Sequence, residues 1–186
     1  MARRIFVFDT PERFVCGTVG PPGQRMFFLQ AVQGPRVVSV QLEKVQVAVL
    51  ADRMGQILAE LQRRGVDAVA VETPKGDDER PLDEPLRDEF RVNTLTITWD
   101  SDNDEIVVEA RSEAEDEEET DEIREIADDA EEGPDVVRVR LAPELAVGFV
   151  RRSARVLAAG RPPCPFCGQP LNPEGHMCPR ANGYLN

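Results

Sequence analysis

The sequence predicts an α+β fold in which an antiparallel sheet of about seven strands is packed by two helices and followed by a small cysteine-rich C-terminal module. Short apolar stretches bounded by Gly and Pro recur along the chain, which is typical of antiparallel strands. Two longer stretches repeat apolar residues at intervals of three and four, as amphipathic helices do. Residues 161–186 hold three of the four cysteines and the only histidine.

Four short strands are predicted at the start of the chain, over residues 4–8, 13–19, 25–32 and 36–42. They are separated by turn signals rich in Gly and Pro: Asp9-Thr10-Pro11, Gly20-Pro21-Pro22-Gly23 and Gln33-Gly34-Pro35. Connections this short join neighbouring antiparallel strands, so the pattern predicts a meander. Cys16 lies within the second strand, where a free thiol commonly behaves as a small apolar core residue.

The periodicity changes after Leu42, where a helix is predicted over residues 43–64 with Gly65 as its C-terminal cap. Six apolar residues follow the spacing of one helix face: Val47, Leu50, Met54, Ile57, Leu58 and Leu61. An apolar face of this kind is more typical of core packing than of a cofactor site.

Residues 66–71 are compatible with a strand, and residues 73–81 have the composition of a loop. Beyond them, residues 91–99 and 105–110 alternate in polarity and predict a hairpin across an aspartate-rich turn. One more strand is predicted at residues 135–141 and resumes the sheet.

The second helix is predicted to begin at Pro143, since proline suits the first helical position. Three of its cations, Arg151, Arg152 and Arg155, are expected to cluster opposite the core-facing side. This basic cluster could bind phosphate or nucleic acid, pair with an acidic segment of the same chain, or simply be solvated.

The net charge of −13 belongs almost entirely to one segment. Residues 112–133 contain 13 acidic residues and one arginine, so the rest of the chain carries a net charge of −1. Such like-charged blocks repel themselves and lack apolar residues to bury. We expect a disordered insertion at about 112–133 within an α+β domain formed by residues 1–160, followed by a tail of residues 161–186.

A metal site is predicted in that tail, from Cys164, Cys167, His176 and Cys178. Three sulfurs and one imidazole nitrogen are a donor set that Zn²⁺ prefers in tetrahedral geometry, and four protein ligands close the shell as in structural sites. The spacing resembles a zinc knuckle. The alternatives are a redox pair at the C-x-x-C motif, and surface thiols beside a solvated histidine.

No apolar run approaches the roughly 18 residues that a membrane span requires, and the sequence shows no signal-peptide pattern. The apolar run after Arg4 ends at Asp9, as expected of a strand. The sequence therefore predicts a cytoplasmic protein with no membrane segment.

Several motifs together resemble a known family of similar length. They are Phe8-Asp-Thr-Pro-Glu-Arg-Phe14, Phe27-Phe-Leu-Gln-Ala31, Leu42-Glu-Lys-Val-Gln46, Phe90-Arg-Val92 leading to Trp99-Asp100, and the tail Cys-Pro-Phe-Cys-Gly-Gln-Pro-Leu-Asn-Pro-Glu-Gly-His-Met-Cys-Pro-Arg-Ala-Asn-Gly that starts at Cys164. They resemble the actinobacterial domain of unknown function 3090 family, over nearly the whole chain apart from the acidic segment. The resemblance implies a cytoplasmic actinobacterial setting and no particular activity.

Three functions are compatible with these features. The first is a non-catalytic binding or adaptor protein with a protein partner, whose zinc tail presents Arg180 and Asn182 as a contact surface. The second is an enzyme with a polar site in a sheet–helix groove near Glu43, Lys44 and Gln46. The third is nucleic-acid or phosphate binding by the arginine helix and the tail, which the overall acidity disfavours.

Overall fold

The computed structural model describes residues 3–65, 78–113, 133–161, 163–171 and 175–180. Within these ranges the chain forms eight strands and two helices. In chain order they are β1 (Ile5–Phe8), β2 (Arg13–Val19), β3 (Met26–Gln33), β4 (Arg36–Leu42), α1 (Lys44–Arg63), β5 (Asp88–Arg91), β6 (Thr94–Asp100), β7 (Glu105–Arg111), β8 (Val136–Leu141) and α2 (Pro143–Ala158).

The strands form two four-stranded sheets, in the orders β1-β8-β7-β6 and β2-β3-β4-β5. The α+β class with two helices is confirmed, but the prediction of one antiparallel sheet is wrong. β2, β3 and β4 form the predicted meander, whereas β1 leaves it and pairs in parallel with β8. β5 also pairs in parallel, with β4, because α1 carries the chain back to the same end of the sheet.

One apolar core joins both sheets and both helices. On β7 the alternate residues Ile106, Val108 and Ala110 are buried, as expected of a strand with one face on a core. Opposite them, Phe149 of α2 is 1% exposed and its ring centre lies 4.9 Å from that of Phe14 on β2. The two helices also pack against each other, with α2 over β2 and α1 beside β6.

Both helices begin where the sequence predicts. A capping box starts α1: the Glu43 side chain accepts from the backbone of Gln46, and the backbone N–H of Glu43 donates to the Gln46 side chain at 2.8 Å. Pro143 occupies the first turn of α2. Neither helix in the described ranges combines the length and apolarity that crossing a membrane requires.

Several predictions fall outside the described residues. These are the strand at residues 66–71, most of the acidic segment at 112–133, and Asn182 in the contact surface. The division into a domain of residues 1–160 and a tail of residues 161–186 stays a prediction.

Candidate metal centre

The first two cysteines of the tail lie in a tight hairpin. The backbone N–H of Cys164 donates to the carbonyl of Gln169 at 2.7 Å, and the N–H of Gly168 donates to the carbonyl of Cys164 at 2.8 Å. Gly168 has a φ of +74°, a conformation that a residue with a side chain rarely adopts. The N–H of Phe166 lies 3.4 Å from the Cys164 sulfur, so the turn directs an amide dipole at that sulfur.

The four predicted ligands converge on one point. One ligand atom from each of Cys164, Cys167, His176 and Cys178 lies within 4.8 Å of the other three. The sulfurs of Cys164 and Cys178 are 3.8 Å apart, and the Cys167 sulfur is 3.1 Å from Nε2 of His176. Zinc–sulfur bonds of about 2.3 Å in a tetrahedron place two sulfurs about 3.8 Å apart. The distance between the sulfurs of Cys164 and Cys178 therefore equals the edge of a zinc tetrahedron.

The histidine ring directs one nitrogen at the sulfurs. Its Nε2 atom lies 3.1 Å from the Cys167 sulfur, whereas Nδ1 is buried and has no hydrogen-bond partner among the described residues. One imidazole nitrogen and three sulfurs are a donor set that zinc prefers. The residues present therefore fit a four-coordinate metal ion.

The thiols do not fit a disulfide. The 3.8 Å between the sulfurs of Cys164 and Cys178 is far longer than an S–S bond of about 2.05 Å. All four cysteines of the chain are free thiols. The cluster can thus bind a metal ion as it stands, without the breaking of a covalent bond.

Neighbouring groups shift two of these thiols in opposite directions. Burial raises the pKa of Cys164, but the amides of Cys167 and Phe166 outweigh it and hold that pKa below its usual value. The Gln169 amide lowers the pKa of Cys167, but burial and then the sulfurs of Cys178 and Cys164 hold it above. Thiolates this close repel one another, and a divalent cation removes that repulsion.

The cysteine cluster lies apart from the main core. Cys164 and Cys178 are buried, yet neither belongs to the apolar core formed by the sheets and helices. Between the ligands, Phe166 is 63% exposed and Met177 is 87% exposed. Arg180, also exposed, donates from Nη1 to the carbonyl of Phe166 at 3.2 Å.

Arg152 is not on an exposed basic face, and that prediction is wrong. Its side chain is buried against β2, where Nε donates to the carbonyl of Cys16 at 2.7 Å and Nη1 donates to the carbonyl of Asp78 at 2.6 Å. Arg151 is exposed, whereas Arg155 is half-buried and reaches the same Asp78 carbonyl at 3.5 Å. The predicted cluster is therefore divided between the surface and the interior.

Sequence reasoning missed a second buried arginine. Arg13 on β2 is 4% exposed and forms ion pairs with Asp78 and Asp83. Its Nη2 also donates to the carbonyls of Arg80 and Pro81, both at 2.9 Å. The only signal in the sequence is an arginine at the start of a strand, which equally fits an exposed position.

The predicted enzyme site is not formed by Glu43 and Lys44. Glu43 caps α1 and pairs with Arg91, and Lys44 is exposed. A groove does lie nearby, between α1 and β6, but its walls are mainly apolar, and of the three predicted residues Gln46 lines it while Glu43 and Lys44 do not. No observation in the described part of the chain supports a polar reaction site there.

Comparison with known proteins adds one finding. No curated protein and no solved structure matches the chain. One family model does match, over residues 6–178, and this range includes all four predicted metal ligands. The chain therefore belongs to the family described as "Protein of unknown function (DUF3090)".

Proposed function

We propose that the chain is a non-catalytic binding protein whose C-terminal tail, residues 161–186, is organised by a structural zinc ion. The observation that carries this proposal is the convergence of four ligand atoms within 4.8 Å. A set of three thiolates and one imidazole favours zinc over the hard cations, which prefer oxygen ligands. Four protein ligands leave no position for a reacting water, so the ion would be structural.

Two further observations support a non-catalytic role. The histidine of the chain lies in the metal cluster, so it is not free to act as a general base. Cys16 and Ser153, whose side-chain atoms are 3.2 Å apart, are both fully buried, and burial raises the pKa of the Cys16 thiol. A buried thiol with a raised pKa is a poor nucleophile.

The zinc tail would present a contact surface to a protein partner in the cytoplasm. Phe166 and Met177 are exposed between ligand residues, with Arg180 hydrogen-bonded beside them. Aromatic, Met and Arg side chains are enriched in protein interfaces. Asn182 follows Arg180 in sequence and would extend this surface. Binding of nucleic acid is less well supported because Arg152 is buried.

Metal analysis tests the proposal directly. Purified wild-type protein should contain one equivalent of zinc by elemental analysis, and Cys167→Ser should lose it. Cys16→Ala is the matched control because Cys16 lies outside the cluster, and it should keep its zinc. Retention of zinc by Cys167→Ser, or absence of zinc from the wild type, would contradict the site.

Partner capture tests the binding role. Wild-type protein and Cys167→Ser are each incubated with native cell extract, and captured proteins are compared by quantitative mass spectrometry. A partner that depends on the zinc tail should be enriched at least tenfold on the wild type. Equal capture by both proteins would show that the tail is not the contact surface.

A further inference from the structure

The groove between α1 and β6 is an apolar surface that the metal centre does not use. It has a volume of about 600 Å³. Its lining includes Val45, Val49, Arg53, Ile57, Leu95 and Ile97. The α1 wall is unusually apolar for a surface, since Val45 is 65% exposed and Val49 is 54% exposed. Contiguous exposed apolar side chains in a groove mark binding sites on soluble proteins.

The floor of this groove is an edge strand. β6 is the last strand of its sheet and pairs only with β7 among the described strands. An open edge presents unpaired N–H and C=O groups, and most proteins protect such edges with charged residues, proline or a bulge. From Thr94 to Trp99, β6 carries no charge and no proline, and its register with β7 is regular. This edge is therefore suited to accept another strand.

Among the described residues, one charged side chain lines the groove. Arg53 donates from Nη1 to Gln56 at 3.1 Å and has no carboxylate partner among the described residues. By contrast, Arg63 and Arg64, on the last turn of the same helix and just beyond it, both pair with Glu60. A guanidinium at the wall of an apolar groove pairs most favourably with a carboxylate supplied by the occupant.

A second copy of the chain fits this charge pattern poorly. Gln46, in the first turn of α1, donates to the carbonyls of Val92 and Asn93 just before β6, so helix and strand start together. Two β6 strands paired about a twofold axis would be centred on Ile97, which shares the groove with Arg53. The two Arg53 side chains would then approach each other, and like charges across an interface weaken association.

We propose that this groove binds an extended segment of a partner protein, which adds to the sheet as a strand beside β6. The segment would place apolar side chains at alternate positions against Val45, Val49 and Ile97, and one Asp or Glu side chain on Arg53. Main-chain hydrogen bonds to the edge strand would supply affinity, and alternate side chains would supply specificity. The inference rests on the proposed role as a binding protein, but not on the zinc centre.

A random nonapeptide phage library, selected on the full wild-type chain, tests this. The selected consensus should alternate apolar residues and contain one central acidic residue. A fluorescein-labelled consensus peptide is then titrated by fluorescence polarisation. Val49→Asp and Arg53→Glu should each weaken binding at least tenfold, and a peptide with Lys at the acidic position should regain affinity for Arg53→Glu. Matched controls are Val19→Asp and Arg63→Glu, at exposed positions outside the groove, which should bind like the wild type.

N-methylation of the peptide tests the strand itself. Methylating alternate amides in one phase should abolish binding, and methylating them in the other phase should leave it within threefold, since only one edge of the peptide pairs with β6. Equal effects of both phases would overturn the proposal, as would a library that yields no consensus. Binding that appears only after deletion of residues 114–132 would identify the chain's own acidic segment as the occupant.

Light scattering decides the case of a second copy. A wild-type dimer that Val49→Asp converts to a monomer would replace the peptide by another copy of this chain.

The peptide titration is repeated on Cys167→Ser, which should bind the peptide as tightly as the wild type does. If the wild type binds zinc and captures its tail-dependent partner but binds no peptide, only the proposal for the groove is refuted. If the wild type binds the peptide but contains no zinc, only the proposal for the metal centre is refuted.

Discussion

Replacement of Asp78 by Asn removes one of the two carboxylates that pair with the buried Arg13, and the same carboxylate lies beside the buried Arg152. Asp78 pairs with Arg13 at 2.5 Å, and its Oδ1 atom lies 3.4 Å from Nη1 of Arg152. Arg13 and Arg152 are 4% and 7% exposed, so neither can recruit water in its place. Asn keeps the shape of the side chain and one hydrogen-bond acceptor. The substitution therefore removes the charge together with one of the two oxygens that accept from Arg13.

The expected loss of stability follows from two independent estimates. Burial raises the pKa of Asp78, but hydrogen bonds from Arg13 and then Arg80 outweigh it and lower that pKa to about 2. A shift from 3.8 to about 2 corresponds to roughly 2.5 kcal/mol, which some exposure of the carboxylate to water reduces to about 2. Removing one partner of a fully buried ion pair costs about 3–5 kcal/mol. We expect Asp78→Asn to lower the free energy of unfolding by about 2–3 kcal/mol.

Urea unfolding at a series of pH values measures this loss. A carboxyl group whose pKa is lower in the folded state stabilises above its unfolded pKa, and this contribution disappears as pH falls through the folded value. The gap between wild type and Asp78→Asn should therefore be complete at pH 5–7, shrink below pH 3.8 and nearly vanish at about pH 2. Asp102→Asn, in the exposed β6–β7 turn, is the control and should show no gap. A gap under about 1 kcal/mol at pH 7, or one that persists undiminished at pH 2, would refute the reasoning.

Three other predictions concern the tail and the core. Removal of zinc by a chelator should abolish hydrogen-exchange protection in residues 163–180, because the bound ion orders the tail. It should shift the melting temperature of the core by less than about 3 °C. Melting of the whole protein would show that the tail is not an appendage. Gly17→Ala should lower the free energy of unfolding by about 1–3 kcal/mol in a urea titration, because a Cβ there would lie 2.7 Å from Leu82. The loss should be smaller in a Leu82→Ala background. Phe149→Ala should cost about 3–5 kcal/mol in the same assay, since it empties a ring-sized volume beside Phe14, and a cost under 1 kcal/mol would place that ring outside the core.

Local elements could be predicted from the sequence because their determinants are local. The helix over residues 44–63 follows from its apolar spacing and from Gln46 three residues after the cap at Glu43. Strands at 13–19 and 36–42 follow from short apolar stretches bounded by turns rich in Gly and Pro. The parallel pairing of β1 with β8 could not be predicted, because its partners are about 130 residues apart and no turn between them fixes the register. β5 was missed because its four residues carry three charges and lack alternation.

The candidate site divides in the same way. The metal ligands were predictable because ligand chemistry and spacing are both visible in the sequence, and all four ligands lie close together in the chain, between Cys164 and Cys178. Identity of the ion remains a proposal, since sulfur and nitrogen donors specify a preference and not an occupant. The sequence predicted a polar site in a groove near Glu43, but the groove beside β6 has mainly apolar walls. Val45 and Val49, which form part of these walls, are residues that the helical spacing places on the solvent-facing side of α1.

The positions of the arginines show why a ligand site cannot be predicted from the pattern of charges alone. On α2, Arg151 is exposed while the adjacent Arg152 is buried, and helical spacing alone placed both on the polar face. The interior accepts Arg152 because Asp78 and the Cys16 carbonyl meet its guanidinium, and both come from distant parts of the chain. An arginine can thus hold a fold together at a position where the sequence indicates a ligand site. On α1 the opposite holds: Arg53 has no carboxylate partner among the described residues and lines an open groove, so its charge is accessible to a carboxylate of a partner.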